Sequence, residues 1–150
     1  MMKALLLLLI ACGNLLTAQL LTVNNLRNST SGPLRNLDAR LKAHFNLERN
    51  PDMEDPGNRV YAASDRDVSH FKVLTVFTDA RNCLALSLVT HDKEEIEPFH
   101  NDLLKEGFML EKYRDLQGNP GINYIREQII VTIKNINAGV PAHQVIWRCR

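Results

Sequence analysis

"YIREQIIVTIKNI", Tyr124 to Ile136, carries the densest β signal in this 150-residue chain. β-Branched residues crowd it and neither proline nor glycine interrupts it, so it reads as one long strand. Alternation places Ile125, Ile129, Val131 and Ile133 on one face, with Arg126, Gln128, Thr132 and Lys134 opposite. A strand of that kind lies half-buried in a sheet and needs a covering layer on its apolar side.

Toward the C-terminus, "NAGVPAH" is a turn-rich connection and "QVIWRCR" a final strand, with Val145, Trp147 and Cys149 on a common face. Ile130 interrupts the polar side of the first strand and Ile146 that of the last. If the two strands pair, Ile130 and Ile146 form an apolar patch suited to a partner, unless a helix covers that face as core.

Toward the N-terminus, "FMLEKYRDL", Phe108 to Leu116, reads as a strand that precedes the loop "QGNPG". Before it, Ile96, Phe99 and Leu103 form a helical stripe that stops at Gly107, and Asp92 with Glu95 has capping-box spacing. Pro98 requires that helix to begin nearer Glu95 or to kink. "FKVLTVFT" and "CLALSLVT", Phe71 to Thr78 and Cys83 to Thr90, form a hairpin across "DARN", and "RVYAAS" is a shorter strand before them. Leu34, Leu37, Leu41 and Phe45 mark a helix from Pro33 to Leu47.

These elements define a single α+β domain over residues 33–150, with an antiparallel or mixed sheet of about five strands, two packed helices and one disulfide. No internal repeat is visible. Residues 19–32, rich in Asn, Ser and Thr, read as a linker. Within it, Asn28-Ser29-Thr30 is an acceptor pattern for glycosylation in a eukaryotic host.

Residues 1–18 have the layout of an export signal: Lys3, an apolar run, the breaker pair Gly13-Asn14, and small residues at Thr17 and Ala18. Cleavage after Ala18 is one fate. "LIAC" resembles a lipobox, which makes Cys12 an acylation site in a second, and retention of residues 1–21 as a membrane anchor is the third. Each carries the domain out of the cytoplasm, into the periplasm or the medium. There Cys83 and Cys149 form an even pair in an oxidising compartment, and bonding them stabilises the fold by about 4 kcal/mol on the chain-entropy model.

Without residues 1–18 the chain has 17 basic and 17 acidic side chains. That balance, with no long basic block, argues against nucleic acid as a partner. No Cys-x-x-Cys or His-x-x-x-His spacing suggests a metal, and no cofactor motif occurs. Asp52, Glu54, Asp55 and Asn58 lack the spacing of a calcium loop. His91 and His100 flank Glu94, Glu95 and Glu97, an arrangement that the charge preference of a helix start already explains. No Gly-x-Ser-x-Gly elbow is present and catalytic residues are not expected.

The expectation is an exported, non-enzymatic domain that binds another protein, near a membrane if the N-terminal segment stays attached. The first alternative is a carrier of a small apolar ligand, with Trp147, Phe71, Phe77, Phe99 and Tyr124 lining its cavity. A hydrolase, or a protease inhibitor, ranks lower. A helix on an antiparallel sheet is similar to the general plan of cystatins, but their Gln-x-Val-x-Gly loop is absent and "QVIW" is its nearest echo.

Overall fold

The computed structural model describes residues 21–63, 71–79, 83–137 and 139–150. Among these described residues three helices, α1 (Val23–Thr30), α2 (Leu37–Phe45) and α3 (Ile96–Lys105), accompany one antiparallel sheet of eight strands. In chain order these are β1 (Leu47–Arg49), β2 (Asn58–Ala63), β3 (Lys72–Phe77), β4 (Ala85–Thr90), β5 (Met109–Arg114), β6 (Pro120–Arg126), β7 (Ile129–Asn137) and β8 (Pro141–Cys149). Eight strands and three helices replace the expected five and two, within an α+β architecture that stands.

The run from Tyr124 to Ile136 accounts for part of the difference. It is two strands: Ile125 pairs with Ile130 and Arg126 with Ile129, so Glu127 and Gln128 form a two-residue hairpin loop. Glu127 adopts φ 52°, a conformation that hairpins normally give to Gly or Asn, and the usual turn signal is therefore missing. As a consequence Ile125 lies on the opposite face from Ile129. β1 also escapes pattern reading, because it is three residues long and follows α2 directly through Asn46, a left-handed C-cap.

The expected linker over 19–32 is corrected by α1. Thr22 caps this helix by accepting from the Asn25 N–H, and Val23, Leu26 and Ser29 recur at helical spacing on its buried face. Its polar residues form the other face, so residues 21–32 belong to the domain. Pro98 falls in the first turn of α3, after a 3-10 turn at Lys93–Glu95, where its missing N–H costs nothing. Asp92 caps that turn through the Glu94 N–H.

The strand order β1-β2-β3-β4-β8-β7-β6-β5 is a palindrome. A helix followed by a four-stranded meander occurs twice, α2 with β1 to β4 and α3 with β5 to β8, and the halves meet where β4 pairs with β8. This is a repeat of plan that leaves no trace as a sequence repeat. Cys83 leads into β4 and Cys149 ends β8, and their sulfurs stand at disulfide distance, 1.92 Å, with Cα atoms 6.1 Å apart. The bond crosses the junction of the two halves.

Helix residues such as Leu26, Leu41, Phe99 and Leu103 pack with Leu74, Leu86, Leu88, Val131, Val145 and Trp147 in one core. All six sheet residues share one face, by the registers Leu74↔Leu88, Leu86↔Trp147, Leu88↔Val145 and Val131↔Trp147. On the other face Val60, Ile130 and Ala142 are buried yet stand outside that core.

Candidate functional site: a cavity beneath the third helix

One row of residues crosses the whole sheet on its helix-covered face: Arg49, Tyr61, Leu74, Leu88, Val145, Ile133, Ile122 and Lys112, each opposite the next. Its first four members belong to one half and its last four to the other. The second position from each end differs: tyrosine in the first half, isoleucine in the second.

Tyr61 is fully buried and its hydroxyl donates to Asp38 of α2 at 2.6 Å, so the space between helix and sheet is filled. Burial, with the Asp38 hydrogen bond added to it, pushes the Tyr61 phenol up to about 12. Ile122 is shorter and reaches no helix side chain by hydrogen bond. Over it a cavity of about 610 Å³ opens, between α3 and strands β5 to β8.

Ile122 and Ile133 form its floor, Pro120 extends it, and Ile96 hangs from the first turn of α3. One helical turn after Ile96, His100 points the same way. Its Nδ1 shares a hydrogen bond with the Tyr124 hydroxyl, which satisfies the polar end of a buried tyrosine. His143 and Asn135, opposite each other on β8 and β7, close one end. On the reverse side of the sheet the Tyr113 ring of β5 lies over Gly121 of β6 in the place a Cβ would need, so only glycine lets these two strands keep this contact behind the cavity floor.

The lining contains the cations Lys112 and Arg114 on the cavity's face of the sheet and Lys134 on the other face, and no Asp or Glu. None of the three forms an ion pair among the described residues. Arg114 donates one bond, to the Gly118 carbonyl at 2.9 Å. Burial lowers the His100 pKa first, the neighbouring His143 lowers it further, and Glu97 opposes both. Burial also lowers His143, aided by Lys93. Both rings are therefore neutral at pH 7, and the His143 Nδ1 is buried with no hydrogen-bond partner among the described residues. An apolar floor with a few convergent polar groups and a cationic rim can hold a small amphipathic molecule.

The residues singled out from sequence fall in several places. Cys83 and Cys149 come together, while Cys12 and the expected export signal over 1–18 lie outside the described residues. Asn28 is exposed on α1. Ile130 and Ile146 are diagonal neighbours on the face away from the helices, since Ile130 opposes Arg148 and Ile146 opposes Thr132. Ile130 is 9% exposed and Ile146 half-buried, and the polar pairs Thr132–Asn123 and Gln144–Ser87 bond beside them. The open patch is thus smaller than expected.

None of the five aromatics expected around a cavity lines it. Trp147, Phe99 and Tyr124 are core, and Phe71 and Phe77 are exposed. The expected group at His91 and His100 also separates: His91 meets the Pro141 carbonyl, and Glu95 is buried against Lys72. His100 instead faces His143, from a strand more than forty positions away, and no spacing rule announces such a pair. In the acidic turn Glu54 is held by Arg49 and Asn58 accepts from the Asp55 N–H. Among the described residues no group of three His, Cys, Asp or Glu could hold a metal, and no helix is long and apolar enough to cross a membrane.

No protein-family model matches the chain, and no curated protein or solved structure matches it. The functional reading therefore stands on the fold and the cavity alone.

Proposed function

We propose that this protein is an extracytoplasmic binding module that carries a small, largely apolar molecule between α3 and strands β5 to β8. The observation behind the proposal is the cavity of about 610 Å³, a size within the usual range of ligand sites, floored by Ile122 and Ile133. A disulfide between Cys83 and Cys149 is compatible with a location outside the cytoplasm. Titration with the neutral dye Nile red tests the reading. Saturable one-to-one fluorescence enhancement is expected, and Ile122→Tyr, which gives this half the residue type of Tyr61, abolishes it with the fold intact. Absence of saturable binding, or binding unchanged in Ile122→Tyr, overturns the proposal.

A protein partner on the helix-free face is the second reading, favoured by Ile146, half-buried beside the exposed Arg148 on a face outside the main core. On this reading Ile146→Ser removes capture of a partner from the native host while the melting temperature holds.

A further inference from the structure

We infer that the ligand of this cavity is an acid: an apolar body over Ile122 and Ile133, and an anionic group, carboxylate or equivalent, held at the rim by Lys112 and Arg114. The inference rests on the cavity being a ligand site and adds the chemical class of what fills it.

Two independent observations carry it. The first is the sign of the rim. Lys112 and Arg114 line the cavity with no acid among the lining residues; Lys134 also borders it but stands on the other face of the sheet, opposite Gly121 and Gln144, where its charge acts on Asp115. Lys112 and Arg114 stand on the floor's own face, opposite Ile122 and Pro120, so their side chains rise at the edge of the apolar floor. The nearby Asp115 carboxylate is engaged elsewhere, accepting from the Gln117 N–H at 3.0 Å and from the Asn119 N–H at 2.8 Å.

The second observation is the palindrome. Arg49 and Lys112 occupy the two ends of the same row, one on each edge strand. Arg49 is met by a carboxylate from its own half, since Glu54 accepts two bonds from it at 2.8 Å each. That bidentate pair holds the Glu54 carboxyl below its ordinary range. Lys112 forms no ion pair among the described residues, and the space beside it is cavity. In the first half the chain supplies the carboxylate; in the second, the ligand does.

The test uses three molecules with the same ten-carbon chain, decanoate, decanol and decylamine, each displacing Nile red from the disulfide-bonded protein at pH 7.5. Decanoate is expected to displace the dye at least tenfold more effectively than decanol, and decylamine less effectively than either. In Lys112→Gln with Arg114→Gln, two exposed strand residues, the preference for decanoate over decanol falls to less than twofold while the melting temperature holds. Equal displacement by decanoate and decanol overturns the acid and leaves the cavity reading in place. A preference that survives both substitutions overturns the assignment to these two side chains. Failure of the wild-type protein to bind Nile red removes the underlying reading, and the acid with it.

Discussion

The two halves of this molecule share a plan and differ in what lies between helix and sheet. In the first half Tyr61 reaches Asp38 of α2, and Arg49 at the sheet edge is neutralised by Glu54. In the second half Ile122 stands where Tyr61 would, Lys112 where Arg49 would, and a cavity occupies the space. The row residue contributes to that difference: Tyr61 spans the gap to α2, whereas Ile122 reaches no partner on α3, and in a closely packed interior an unfilled gap stays as space unless the backbone collapses. Repetition of a plan therefore allows one half to be solid and the other hollow. One copy is packed, and the other can remain open because the two are joined across β4 and β8.

That junction is where the largest effect is expected. Replacing both Cys83 and Cys149 by Ser should lower stability by about 4 kcal/mol in equilibrium urea unfolding, by the loop-closure argument. Loss of cooperativity in the same experiment, with one half unfolding ahead of the other, would sharpen the comparison by showing that the bond couples the two. A change below about 1 kcal/mol would mean that the β4–β8 pairing holds them unaided.

Exchanging the row residues breaks the comparison more directly. Tyr61→Ile removes a ring and the shorter of two bonds that Asp38 accepts, leaving Arg59 as its donor, and a cost on the order of 3 kcal/mol is expected from thermal unfolding. Ile122→Tyr fills space that already exists. Its stability should stay within about 1 kcal/mol of wild type, whereas overpacking a filled core commonly costs more. Similar losses at both positions would mean that the halves are equally packed.

The smallest effect is that of pH, and it is specific to the second half. His100 and His143 both have pKa values lowered from 6.5 in the folded state, chiefly by burial. The unfolded chain then binds the extra protons. Stability is complete above 6.5 and falls as the pH drops through that value toward the folded-state pKa values, below which no further loss comes from these groups. The melting temperature should decline between pH 7 and pH 5, and His100→Gln with His143→Gln should flatten the decline. A profile unchanged in the double variant would locate the titration elsewhere.

Some of this was legible in the sequence. The stripe at Ile96, Phe99 and Leu103, the strands of "FKVLTVFT" and "CLALSLVT", and the pairing of Cys83 with Cys149 all followed from local pattern and cysteine count. The count of strands did not follow, because Glu127 turns the chain at positive φ without the glycine or asparagine that announces a hairpin. α1 was hidden by composition: Asn, Arg and Thr form its outer face, and on the inner one Ser29 follows Val23 and Leu26, which leaves only two apolar residues to mark it. The cavity left no signal at all. One contributor is a residue smaller than its counterpart in the other half, and that correspondence exists only once the strand order is known.

The central claim, that one half is solid and the other holds a ligand, is tested most directly by amide NMR during titration with decanoate. Shift changes should concentrate at Ile96 to His100, Lys112 to Ile122 and Ile133 to His143, and leave Leu37 to Leu47 unmoved. Changes centred on α2 and β1, or on Thr75, Thr132 and Ile146 of the helix-free face, would contradict the account.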